Sequence, residues 1–209
     1  MTLTTQDQTV PPMSGRSGFE PIPTRIRDVR PKQDAPPLVV DAPEVQIDAE
    51  VQASLAEMTA KLTELHNTAA EAYLSQALYE QALPHLEVAA RFDPNKVDYQ
   101  QQVGFVRYVT GDDLGAIEAF NAVLAADPTS DEAWFNLGMV LFSQGQHVEA
   151  EKCFGKAIET DPSDAQTWNN RGVCLWQMQR ADDARACFQR ALQINPEDED
   201  ARFNLENFN

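Results

Sequence analysis

The segment "EAWFNLGMVLF" at residues 132–142 is followed 34 residues later, at 166–176, by the related segment "QTWNNRGVCLW". The same period governs four prolines, which are Pro94, Pro128, Pro162 and Pro196. A fixed period of this length is typical of stacked supersecondary units. Each unit reads as an apolar helix, a turn, a second helix and then Asp-Pro or Asn-Pro, since proline cannot continue a helix. The sequence therefore predicts an array of helix pairs.

Small and aromatic residues recur at matched places inside these units. The clearest matches are Trp134 with Trp168, Gly138 with Gly172, Ala150 with Ala184, and Phe154 with Phe188. This pattern resembles the tetratricopeptide repeat. The resemblance implies an all-α fold, a right-handed α-solenoid of four helix-turn-helix repeats at 63–96, 97–130, 131–164 and 165–198, with first helices lining the concave face. The first two repeats match less well, since His66 and Gln100 replace the tryptophan and Arg107 stands where Leu141 stands later.

Both ends of the array carry further helix patterns. Residues 199–209 are predicted to form a C-terminal capping helix, or the start of a fifth repeat, with Ala201, Leu205 and Phe208 on one face. Residues 48–62 are predicted to form an N-terminal helix that extends the first helix of the array. Its apolar residues alternate at spacings of four and three, and they are Val51, Leu55, Met58, Leu62, Leu65 and Ala69. That spacing fits either a cap or a homodimer seam.

Residues 1–47 differ in composition from the rest of the chain. They hold eight of the thirteen prolines and no sustained periodicity, which predicts a disordered Pro-rich tail. Within the tail, residues 16–33 form a basic and partly apolar segment. This segment is interpreted either as a plain leader or as an occupant of the chain's own groove.

The charge balance narrows the classes of partner. A net charge of −17 argues against nucleic acid and against an anionic membrane surface, and it favours basic partners. No stretch has the length of a membrane span, and the N-terminus lacks the pattern of a secretory signal, so the expected location is cytoplasmic.

The sequence contains no recognisable catalytic motif. Its three cysteines and three histidines stand in no metal-ligand or nucleophile–base spacing, and the carboxylates follow the outer faces of amphipathic helices. The prediction is a protein that is not an enzyme, with no catalytic residues, no metal and no cofactor. The cysteines are predicted to be small buried apolar residues.

One helix carries more apolar surface than a solenoid core requires. Besides the shared stripe, Phe135, Met139 and Phe142 form a second stripe at i, i+4 and i+7. The resemblance implies that this stripe lines a concave peptide-binding groove. The candidate groove residues are Phe105, Tyr108, Phe135, Asn136, Met139, Phe142, Asn169, Asn170, Val173 and Trp176. The alternative is that these side chains only fill the seam between neighbouring first helices.

The predicted function is a non-catalytic protein–protein interaction module, an adaptor, scaffold or chaperone-like protein that binds an apolar or basic segment of another protein in its groove. Family members that grip a C-terminal carboxylate use Lys and Arg on the concave face, and the corresponding positions here show no such clamp. The alternative is a self-associating assembly protein that uses its N-terminal helix, with a homo-oligomer as the expected state.

Overall fold

The computed structural model describes residues 48–207, and every regular element in that range is an α-helix. The helices are α1 (Ala49–Leu74), α2 (Tyr79–Phe92), α3 (Val97–Val109), α4 (Asp113–Ala126), α5 (Asp131–Ser143), α6 (His147–Thr160), α7 (Ala165–Gln177), α8 (Ala181–Ile194) and α9 (Glu199–Glu206). Each helix packs against its neighbours in sequence, α3 also meets α5, and α7 also meets α9. This is the predicted α-solenoid of helix pairs. The tail at 1–47 and Phe208 of the predicted cap lie outside the described residues.

A single left-handed residue turns the chain inside each of the four helix pairs. These residues stand 34 apart, and they are Ala77, Gly111, Gly145 and Gln179, with φ angles of 56°, 87°, 73° and 60°. Glycine adopts this conformation without the steric cost that a Cβ brings. The two middle pairs have glycine there, and the two outer pairs tolerate a side chain.

The connections between consecutive helix pairs, called corners here, share a hydrogen bond from a side chain to a proline carbonyl. The indole Nε1 of Trp134 donates to the carbonyl of Pro128 at 2.9 Å, and Trp168 donates to Pro162 at 3.1 Å. At the start of α9, Arg202 Nη2 makes the corresponding bond to the Pro196 carbonyl at 2.6 Å. The helix α9 therefore begins as a first helix of a repeat does, which is the geometry expected of a fifth unit.

A phenylalanine lies over a glycine in three of the pairs. Phe120, Phe154 and Phe188 are at most 1% exposed. A Cβ built on Gly104, Gly138 or Gly172 would lie only 2.6, 2.8 or 2.6 Å from the corresponding ring. The spacing of glycine and phenylalanine that repeats in these three units thus sets how closely the two helices of each approach.

Two arginines at apolar positions of the repeat are held by acids of the preceding unit. Arg107 Nη2 lies 2.8 Å from Glu87 Oε1, and its Nη1 donates to the Gly115 carbonyl at 3.2 Å. Arg171, which stands where Leu137 stands one unit earlier, lies 2.6 Å from Glu151 Oε1. These contacts explain how helices α3 and α7 pack with a charged residue in place of leucine.

The helix α1 runs without interruption from its cap into the first pair. The Asp48 carboxylate accepts from the Glu50 amide, and the helix continues for 26 residues. Of the helices in residues 48–207, none combines the length and apolar character that a membrane span requires.

Candidate functional site

The ten candidate groove residues lie on the first helices α3, α5 and α7, and they differ in exposure. Phe105 and Trp176 expose 43% and 46% of their surface. Asn169 is buried, at 7%. The half-buried members are Tyr108, Phe135, Asn136, Met139, Phe142, Asn170 and Val173. Each half-buried aromatic ring is thus partly packed against the protein and partly exposed to solvent.

The central stripe of α5 packs against the next helices. Phe135, Met139 and Phe142 contact a buried cluster that includes Phe154 and Cys174. The ring centroids of Phe135 and Phe154 lie 5.8 Å apart at an angle of 57°, a favourable tilted arrangement. These three side chains therefore do fill the seam between α5, α6 and α7, while part of their surface stays in solvent.

The flanks of the stripe are anchored in the same way. Tyr108 packs on the cluster formed by α4 and α5, and Val173 packs on the cluster around Phe188. Phe105 meets the edge of Tyr79 with ring centroids 6.2 Å apart, yet remains exposed. Phe105 and Trp176 consequently offer the largest accessible surface among the candidates.

The asparagines have different roles. Asn169 Oδ1 accepts from Asn204 Nδ2 of α9 at 2.9 Å, so this amide joins two consecutive first helices. Asn136 and Asn170 stand one position further along their helices and are half-buried. The side chains of Asn136 and Asn170 are therefore more accessible than that of Asn169.

Two glutamines on α3 belong to the same surface and were missing from the predicted set. Both side-chain polar atoms of Gln101, and Oε1 of Gln102, are buried without a hydrogen-bond partner within residues 48–207. A buried amide without a hydrogen-bond partner costs free energy. The repeat pattern could have identified Gln101 as a candidate, since it stands where Phe135 stands one unit later.

The charges around the surface are mainly acidic. Asp98 lies in the first turn of α3, and Asp131 and Glu132 lie in the first turn of α5. The basic residues Arg107 and Arg171 already bind acids of the preceding unit. Helices α3 and α5 thus present acids at their N-terminal ends, and Arg107 and Arg171 are held in structural ion pairs.

The cysteines and histidines, residue types that can act as nucleophiles or metal ligands, have structural roles here. Burial raises the pKa of the Cys153 thiol to about 11 and that of Cys174 to about 12, so both stay protonated at neutral pH. His66 Nδ1 and His85 Nδ1 share a hydrogen bond of 3.0 Å between α1 and α2. The described part of the chain has no cluster of His, Cys, Asp or Glu suited to a metal ion.

Comparison with known families identifies the repeat. The family model described as tetratricopeptide repeat matches residues 131–164 and 165–198, the third and fourth units. No curated protein matches the sequence.

Solved structures with this fold share low sequence identity with the chain. MamA from Desulfovibrio magneticus RS-1 is 23% identical, with 69% of this chain and 81% of that chain covered and a TM-score of 0.65. YrrB, a tetratricopeptide protein with an unusual peptide-binding site, is 21% identical, with coverage of 75% and 88% and a TM-score of 0.63. The first such domain of Spaghetti, bound to the HSP90 peptide SRMEEVD, is 20% identical, with coverage of 54% and 90% and a TM-score of 0.53. At these identities the similarity concerns the fold alone.

Proposed function

Because the chain is built of tetratricopeptide repeats, which generally bind other proteins, we propose that it is a non-catalytic interaction module. Its ligand is an apolar and basic segment of another protein, and the binding surface is formed by α3, α5 and α7. The chain acts as an adaptor, scaffold or chaperone-like protein in the cytoplasm.

The observation that carries this proposal is the row of accessible apolar surface on these first helices. The order of the first helices along the chain places the exposed Phe105 on α3 and the exposed Trp176 on α7, on either side of the half-buried Phe135, Met139 and Phe142 of α5. The shared core of the repeat is already complete without Phe105, which exposes 43% of its surface. Contiguous exposed apolar surface usually marks an interaction site.

The acidic charge of the surface favours a basic ligand. The chain has a net charge of −17, and acids occupy the first turns of α3 and α5. A ligand with Lys or Arg beside its apolar anchors complements this potential and is steered towards it. The HSP90 peptide bound by the Spaghetti domain ends in EEVD, so the proposed ligand is of opposite charge.

The test is capture of binding proteins from native lysate on immobilised chain. The groove variant combines Phe105→Ser with Trp176→Ser. The matched control combines Leu114→Ser with Val148→Ser, which alter apolar residues exposed by 74% and 45% on the second helices. Circular dichroism establishes that both variants are folded before capture.

We expect a protein captured by wild type and control, and lost by the groove variant. Its binding should weaken as salt is added, because the acidic surface contributes to it. Equal capture by all three proteins would contradict the proposal, since the contact would then lie elsewhere on the chain.

The basic segment at 16–33 is proposed as a competitor for the same surface. A synthetic peptide of those residues, labelled for fluorescence anisotropy, should bind wild type and the control but not the groove variant. Because such a segment is tethered in the intact chain, even weak binding would compete with a partner. Equal binding of the peptide to the groove variant would exclude this role.

A further inference from the structure

The helix α1 presents an apolar face to solvent over residues 51–65. We call this face the α1 stripe. It consists of Val51, Leu55, Met58, Leu62 and Leu65, which are 49%, 50%, 64%, 38% and 66% exposed. Four of them, all except Val51, line one shallow apolar depression along the helix. Five large apolar side chains in one row on a single helix expose apolar surface to water, which is energetically unfavourable.

A helix covers the equivalent face in every later unit. Leu65 stands 34, 68, 102 and 136 residues before Tyr99, Ala133, Thr167 and Ala201. Those four residues are 4%, 0%, 2% and 0% exposed, because the second helix of the preceding pair packs on α3, α5, α7 and α9. For α1 the described residues provide no such helix. Leu65, and the stripe residues that precede it on the same side of α1, therefore lack the helix that covers this side of the first helix in later units.

We propose that the α1 stripe of a second copy covers this face and that the chain forms a symmetric homodimer. The alternation of four and three residues from Val51 to Leu65 is the spacing with which two helices interlock their side chains. A two-fold interface pairs the same patch on both subunits, so one helix supplies both complementary surfaces.

The charges on α1 permit this contact between two acidic chains. Its glutamates at 50, 57, 64 and 71 recur every seven residues and lie on a separate face. The residues that border the stripe are Gln52, Ser54, Thr59, Lys61 and Thr68. Lys61 is paired within its own helix, 2.6 Å from Glu57 Oε1. Two copies thus meet without placing carboxylates opposite each other.

The chain's own preceding sequence fits the stripe less well. Residues 1–47 hold eight prolines, and proline interrupts the kind of helix that covers this face in later units. The basic segment at 16–33 would also find no acid among the residues that border the stripe. A second α1, with its matching spacing, is the better occupant.

The size of the stripe sets the strength of association. From Val51 to Leu65 it runs for about 21 Å along the helix, at a rise of roughly 1.5 Å per residue. Such a short seam forms a dimer that dissociates on dilution. This inference is independent of the proposed groove, which involves α3, α5 and α7.

The test is sedimentation of the full chain over a range of concentrations. One variant combines Met58→Glu with Leu65→Glu in the stripe. The control combines Ala53→Glu, on the far face of α1, with Leu114→Glu on α4, and so adds the same charge. All four positions are exposed, so both variants should keep the circular dichroism of the wild type.

We expect wild type and control to dimerise and the stripe variant to remain monomeric. Its dissociation constant should rise by about 100-fold or more, because two carboxylates enter an apolar seam. A wild type that stays monomeric up to about 1 mM, or a stripe variant that dimerises equally, would overturn the proposal.

A second measurement keeps the proposal testable if the charged variant misfolds. Met58→Cys places a thiol near the middle of the stripe, and the native cysteines are buried. Mild oxidation should link two copies through this thiol, whereas Ala53→Cys on the far face should not be linked. Equal linking of both variants, or of neither, would overturn the proposal.

Discussion

Gly138→Ala is the sharpest test of how the helix pairs close. A Cβ built on Gly138 lies 2.8, 3.0 and 3.0 Å from three carbons of the Phe154 ring. That ring is 0% exposed, so it cannot turn out into solvent without losing its buried contacts. Overpacking of this kind costs roughly 1–3 kcal/mol, and contacts this short belong at the upper end. Alanine returns about 1 kcal/mol through helix propensity. The expected net loss is about 2 kcal/mol of unfolding free energy.

Gly155→Ala is the matched control in the same unit. It lies inside α6, and a Cβ there has its nearest contact 4.0 Å away, at Arg171 Cζ. Only the propensity gain remains, so this variant should be more stable than wild type by roughly 0.5–1 kcal/mol. Urea denaturation followed by circular dichroism compares the two midpoints. A Gly138→Ala variant as stable as Gly155→Ala would refute the close-approach argument.

Three further predictions concern the turns, the thiols and the corners. Gln179 has a φ of 60°, so Gln179→Gly should stabilise the fold by up to about 1 kcal/mol. Gly145→Ala should destabilise it, and thermal midpoints that move the other way would contradict this. The pKa of Cys153 is raised to about 11 and that of Cys174 to about 12 by burial. Because an unfolded thiol ionises near about pH 8.5, unfolding free energy should fall as pH rises above that value; a flat denaturation series from about pH 8 to 10 would contradict it. Trp168→Phe removes a donor 3.1 Å from a proline carbonyl and should cost about 1 kcal/mol in urea denaturation; an unchanged midpoint would contradict that bond.

The period of 34 predicted the helix pairs because it repeats the residues that carry the geometry. Gly138 and Phe154 are glycine and phenylalanine again in the next unit, so the contact between them repeats as well. The sequence did not reveal that Arg202 replaces the tryptophan of the corner. Two chemically different side chains donate to the same carbonyl there, and only coordinates show that equivalence.

The candidate groove was harder to predict, because exposure depends on neighbours that the pattern does not specify. Phe135 and Phe105 read alike as apolar residues of a first helix. In the structure, Phe135 rests against Phe154, while Phe105 is 43% exposed. The amide of Asn169 is bound by Asn204, 35 residues away. The membership of the groove stays a prediction, and the structure ranks its members by accessibility.

Site-specific photo-crosslinking to the captured partner locates the surface of the chain that the partner contacts. A photoreactive phenylalanine analogue replaces Phe105 in one variant and Leu114 in another, and both side chains are exposed, at 43% and 74%. We expect a crosslinked partner from the Phe105 variant and none from the Leu114 variant. A crosslink from Leu114 on α4, without one from Phe105 on α3, would show that the partner binds outside the proposed groove.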